Sequence, residues 1–118
     1  LSGEEDLQKA CEELHRIGSE AIVITLGKEG TFLSTASEQA VIPSIPVSAV
    51  DTTGAGDAFI GCLLYLISQL EDPFSVTRDF KVLSEMVRTA NVAGALTTTQ
   101  FGAIPSLPDQ EELKAALP

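Results

Sequence analysis

The run Asp51-Thr52-Thr53-Gly54-Ala55-Gly56-Asp57 gathers the residue types that handle phosphate. An extended segment ends there, Gly54-Ala55-Gly56 follows with almost no side-chain bulk, and a helical pattern starts at about Asp57. The free amides of a helix N-terminus, with the helix dipole behind them, form an anion site, and small residues let a phosphate approach the backbone closely. An aspartate at the same turn can accept a proton from a substrate hydroxyl while the amides stabilise charge on a transferring phosphoryl group. The same residues would also serve as a plain tight turn, with Asp57 satisfying amides of its own helix. On spacing alone both readings stay open, because short glycine motifs are weak signals.

Two familiar phosphate motifs are absent from the chain. Lys28 follows Gly27, but no glycine stands five residues before Gly27, so there is no G-x-x-x-x-G-K-[ST] loop. Gly54 and Gly56 are followed by Phe59 where G-x-G-x-x-G needs glycine, which disfavours a nicotinamide-dependent oxidoreductase. His15, the one histidine, falls on a charged helix flank and reads as structural, and Lys28 beside Glu29 reads as a solvated turn residue.

The elements that must position this run follow from periodicity. Ser2 and Glu5 make a capping box, and Leu7, Ala10, Cys11, Leu14 and Ile17 recur at helical spacing until Gly18. Residues 21–26 (AIVITL) predict a strand buried on both faces. Gly27-Lys28-Glu29-Gly30 turns the chain, and residues 31–34 and 40–42 predict short strands. Pro43 and Pro46 indicate an edge or an irregular extended stretch leading into residues 47–50. Residues 58–70 predict a mostly buried helix, Glu71-Asp72-Pro73 a break, and residues 79–98 another helix, with Gly61 and Gly94 allowing close helix packing. A loop over residues 101–108 and a last helix opened by Asp109 and Glu112 complete an α/β layered architecture.

Composition narrows the function classes. A hydrophobic share of 44% excludes disorder as the default state. The formal net charge of -10 disfavours nucleic acid and anionic membrane as partners, although backbone amides and a metal ion can still hold ATP. The longest apolar stretch contains Gly61 and is too short to span a bilayer. Cys11 and Cys62 show neither metal-ligand spacing nor a disulfide framework, and the opening residues have no signal-peptide pattern, so a cytoplasmic setting is expected. Because Met86 is the one methionine, the chain is expected to be part of a longer protein.

DTTGAGDAFIG, residues 51–61, resembles the C-terminal signature of the PfkB family, the ribokinase-like carbohydrate kinases. TLGKEG (25–30), ANVAGALTTT (90–99) and GAIPSLP (102–108) resemble, in order and spacing, the same family's phosphate-side turn, adenine-side helix and following loop. The resemblance implies a ribokinase-like α/β fold in which residues 1–118 form the C-terminal ATP-binding and catalytic-base portion. It implies Asp57 as the base that deprotonates the sugar hydroxyl, and the amides of Gly54, Ala55, Gly56 and Asp57 as the anion hole. Thr25, Gly27 and Gly30 would contact ATP phosphates or ribose, and Asn91 would lie beside adenine, although a helical asparagine can equally be a solvated polar position. Asp51 and Thr53, with backbone near Gly102 and the Ser106 hydroxyl, match a monovalent-cation site suited to K⁺.

The family's N-x-x-E element, which organises Mg²⁺, its sugar-gripping residues and its lid strands belong to an N-terminal half without counterpart in these 118 residues. The resemblance therefore predicts a homodimer formed through that lid, and no kinase activity from the 118 residues alone. Within the family, GALTTTQFGAIPSLP resembles fructokinases most, which implies ATP-dependent conversion of D-fructose to fructose 6-phosphate; ribokinase or another sugar or nucleoside kinase comes second. A non-catalytic nucleotide-binding regulator is the reading from a different class, and the presence of Asp57 counts against it.

Overall fold

The computed structural model of the chain describes residues 2–48 and 52–99. Its elements run α1 (Ser2–Arg16), β1 (Ala21–Thr25), a 3₁₀ turn (Gly27–Glu29), β2 (Thr31–Thr35), β3 (Gln39–Ile42), α2 (Ala55–Ser68), a second 3₁₀ segment (Pro73–Arg78) and α3 (Phe80–Thr97). The expected loop after residue 100 and the last helix lie outside the described residues.

The strands form an antiparallel sheet in the order β1-β2-β3. Register pairs Thr25 with Thr31 and Thr31 with Ile42, so the two ends that border the site are held in line across all three strands. Alternation along β2 separates its faces. Ser34 meets the α1 side, where His15 Nε2 lies 2.7 Å from its hydroxyl, while Thr31 bonds Asn91 on α3 at 2.6 Å. The result is helix on both faces of the sheet, an α/β layered arrangement. The core gathers Leu33, Ile42, Phe59, Leu63, Leu83 and Val87 between the sheet and the α2–α3 pair, each such burial contributing about 1.5–3 kcal/mol before the entropy of ordering is set against it.

Four sequence expectations need correction. β1 is half-buried rather than enclosed, because it stands at an edge of the described sheet; the fully buried strand is β2. α2 begins at Ala55 instead of Asp57 and buries one face only, through Ala58, Phe59 and Leu63, while Ile60, Leu64 and Tyr65 are exposed. Gly61 faces open space and permits no close packing, unlike Gly94. On α1 the apolar stripe is likewise narrower than its pattern: Cys11 is buried but Ile17 is 72% exposed, since β2 is touched by the face that carries Cys11 and His15. His15 Nδ1–H donates to the Ser19 carbonyl at 2.6 Å while its Nε2 meets the Ser34 hydroxyl on β2, so the ring ties the helix end to the sheet and has a structural task.

Candidate active site

The first wall of the site is the β1–β2 connection. Leu26 N–H donates to the Gly30 carbonyl at 2.8 Å and Gly30 N–H to the Gly27 carbonyl at 3.1 Å, closing a tight turn. Gly27 and Gly30 have φ of +62° and +106°, values that a side chain disfavours. At Gly30 a Cβ would also collide with the Ile42 carbonyl oxygen and stand 2.9 Å from Pro43 Cα, so glycine is demanded twice. Thr25 ends β1 exposed, at the rim of the turn.

The second wall is the start of α2. Gly54 adopts φ +82° at the N-cap position, where no side chain caps the helix. Ala58 N–H donates to the Gly54 carbonyl at 2.9 Å and Ala55 N–H to the Thr52 carbonyl at 3.2 Å. Of the four amides expected as an anion hole, that of Ala55 is thus engaged in the turn. Those of Gly56 and Asp57 belong to the first helical turn, whose N–H groups have no acceptor within the helix. Asp57 is the acid of that turn, and its side chain is exposed.

The third wall is α3 with the irregular stretch after β3. Asp79 caps α3 by accepting from Val82 N–H at 3.2 Å, and the helix then runs Asn91 and Gly94 past the other two walls. Asn91 is 6% exposed. Thr31 Oγ1 donates to its Oδ1 at 2.6 Å, and its Nδ2 donates to the carbonyls of Ile42 at 2.9 Å and Pro43 at 3.3 Å. It is neither solvated nor idle.

These walls enclose a cavity of about 590 Å³, lined by Thr25, Gly27, Gly30, Ala55, Gly56 and Asn91 from the sequence-derived set and also by Lys28, which the sequence marks as a solvated turn residue. That volume lies within the usual range for small-molecule and cofactor sites. Gly54, Asp57 and Thr53 belong to the same turn as Gly56 without lining the cavity. Asp51, Gly102 and Ser106 lie outside the described residues. Sequence reading missed Thr31, Ser44, Phe59 and Thr98 in the lining; Phe59 and Thr98 stand inside the runs 51–61 and 90–99, and for Ser44 the signal was the bracketing prolines Pro43 and Pro46, which marked irregularity rather than a wall. Among the described residues, no group of three or more His, Cys, Asp or Glu is placed to hold a metal ion, and no helix is long and apolar enough to cross a membrane.

Residues 1–110 match the family model for pfkB family carbohydrate kinase. The chain belongs to this family. It is 45% identical over 101 residues to fructokinase-1 of Zea mays, covering 86% of this chain and 30% of that protein. It is 38% identical over 117 residues to the aminoimidazole riboside kinase of Salmonella typhimurium, covering 99% of this chain and 35% of that one. Among solved structures, a double mutant of the fructokinase from Vibrio cholerae O395, bound to fructose, ADP and potassium ion, superposes with a TM-score of 0.82 at 35% identity over 94% of this chain and 34% of that chain. This chain therefore spans about a third of the length of the relatives it matches.

Proposed function

We propose that the protein carrying this chain is a pfkB-type kinase that transfers a phosphoryl group from ATP to a sugar hydroxyl, with D-fructose as substrate and fructose 6-phosphate as product. The observation that carries this reading is the junction at Gly56–Asp57: Gly56 lines the cavity from the first turn of α2, whose N–H groups lack helical acceptors, and the exposed Asp57 carboxylate stands one residue on. In this reading the ATP phosphates lie against the Gly56 and Asp57 amides, with Thr25 and the Gly27–Gly30 turn on the opposite wall. Asp57 takes the proton of the attacking hydroxyl, and the amides of the turn offset charge on the transferring group. Residues 1–118 are then the nucleotide-binding and base-carrying portion of the protein. ATP supplies the phosphoryl group together with Mg²⁺, whose ligands and the sugar contacts belong to the family's N-terminal half.

Fructose is favoured by the 45% identity to the maize fructokinase and by the fructose-bound Vibrio neighbour. A riboside substrate is the second reading, favoured by the alignment of nearly the whole chain with the aminoimidazole riboside kinase. The test is a phosphorylation assay of the full-length protein against fructose, ribose, adenosine and aminoimidazole riboside. Fructose should give the highest kcat/KM; preference for a riboside would transfer the reading to the second class. Asp57→Asn should keep ATP binding and lower kcat at least about a hundredfold. A near-wild-type kcat would remove Asp57 as the base.

A further inference from the structure

We propose that Asn91 is a positioning residue of the cavity: its buried carboxamide latches the wall at residues 43–47 to α3 and β2, and so sets nucleotide affinity without offering a hydrogen bond donor to the base. The inference rests on the nucleotide-binding reading of the cavity. It is carried by a hydrogen-bond inventory. A carboxamide has two N–H donors, and Asn91 Nδ2 stands within hydrogen-bond distance of two main-chain carbonyls, those of Ile42 at 2.9 Å and Pro43 at 3.3 Å. Carbonyls only accept, which fixes the orientation of the amide, and Thr31 Oγ1 donates to the remaining oxygen.

Three pieces of chain therefore meet at one side chain: the start of β2, the end of β3 with the first wall residue, and the middle of α3. Among the described residues, this wall has no place in the strand ladder. Residues 43–48 have no regular secondary structure, and Pro43 and Pro46 lack the N–H that a strand ladder would use. Ser44 adds a second tie, its Oγ donating to the Asn91 carbonyl at 3.4 Å. Ser44, Ile45, Pro46 and Val47 all line the cavity. Releasing the latch would let the wall drift from α3 and loosen the grip on whatever fills the space.

Steady-state kinetics of the full-length protein test this with Asn91→Ala, Asn91→Asp, Thr31→Val and the double variant Thr31→Val/Asn91→Ala. Asn91→Ala should raise the KM for ATP about tenfold, the scale of a buried hydrogen-bond set lost, with the loss falling on KM more than on kcat. Asn91→Asp should be worse, since a carboxylate would face two carbonyl oxygens. Thr31→Val should act in the same direction, and the double variant should be no worse than Asn91→Ala, because both act through one latch. Preference for ATP over GTP should stay as in the wild type. Amide hydrogen exchange at Ser44, Ile45 and Val47 should quicken in every variant, with or without nucleotide. The proposal is overturned if folded Asn91→Ala keeps both the wild-type KM and the wild-type exchange. It is equally overturned if Asn91→Ala changes base preference while Thr31→Val does nothing, the mark of a direct base contact. Should Asn91→Ala fail to fold, Thr31→Val decides by the same two readouts. Failure of the wild-type protein to bind ATP would sink the kinase reading instead, and the exchange measurement would still judge the latch.

Discussion

Gly94 on α3 presses on the backbone of Ala55, the first residue of α2: a methyl group at Gly94 would stand 3.1 Å from the Ala55 carbonyl oxygen. One helix thereby sets where the other begins, and with it where the Gly56 and Asp57 amides lie. Gly61, near the middle of α2, has nothing within 4 Å of the same hypothetical methyl. Gly94→Val should destabilise the full-length protein by about 1–3 kcal/mol, as overpacking does, and should raise the KM for ATP. Gly61→Ala should instead gain about 0.5–1 kcal/mol from helix propensity. Thermal denaturation of the two variants checks both signs, and equal effects would refute the distinction.

A similar contrast separates the glycines of the β1–β2 turn. Gly30, at φ +106° with the Ile42 carbonyl and Pro43 Cα against it, has no room for a side chain. Gly27, at φ +62°, is open on its Cβ side and meets only the left-handed backbone cost. Gly30→Ala should cost more than the about 1–3 kcal/mol of backbone strain alone, and Gly27→Ala about 1–2 kcal/mol. Urea unfolding midpoints of the two variants order them. A milder Gly30→Ala would mean that β3 shifts freely.

Much of this was legible because its causes are local. The α1 and α3 boundaries follow from Gly18, which has φ +120°, and from the Asp79 cap, and the 27–30 turn follows from its two glycines. What escaped depends on partners far along the chain. The Thr31–Asn91 bond joins residues 60 apart, so no window of sequence contains it. β1 and β2 both carry apolar residues, and which one is enclosed depends on sheet order rather than on composition. The apolar content of α2 exceeds what one face can bury, leaving Leu64 60% exposed, so hydrophobicity alone overstated its burial. Gly61 and Gly94 look alike in sequence and differ only in what stands opposite.

The cation reading yields its own test. Thr53 lies in the turn before α2, and Asp51, Gly102 and Ser106 complete the proposed set outside the described residues. On that reading, activity of the full-length protein should rise with K⁺, and Asp51→Ala should abolish that response. Assays in K⁺ against a large organic cation at equal ionic strength measure it. An Asp51→Ala enzyme that still responds to K⁺ would leave Asp51 with a structural part only.

Cys62, on α2, offers a pH test of the packing beneath the site. Burial raises its pKa above the ordinary thiol value of 9.0, and burial does the same to Cys11 against a smaller opposing effect of the Ser34 hydrogen bond. Both are therefore thiols at neutral pH, and alkylation should be slow in the native protein and fast once it is unfolded. The linkage has a definite sign. In the unfolded chain these thiols ionise near 9.0 while the native ones still hold their protons, so their stabilising contribution is complete below that pH and is lost as pH rises beyond it. Urea midpoints measured from pH 7 to pH 10 should fall above about pH 9, and Cys62→Ala should flatten that fall. Parallel curves for wild type and Cys62→Ala would show that the thiol is not the source, and that the α2 face carrying Cys62 is more open to solvent than its packing indicates.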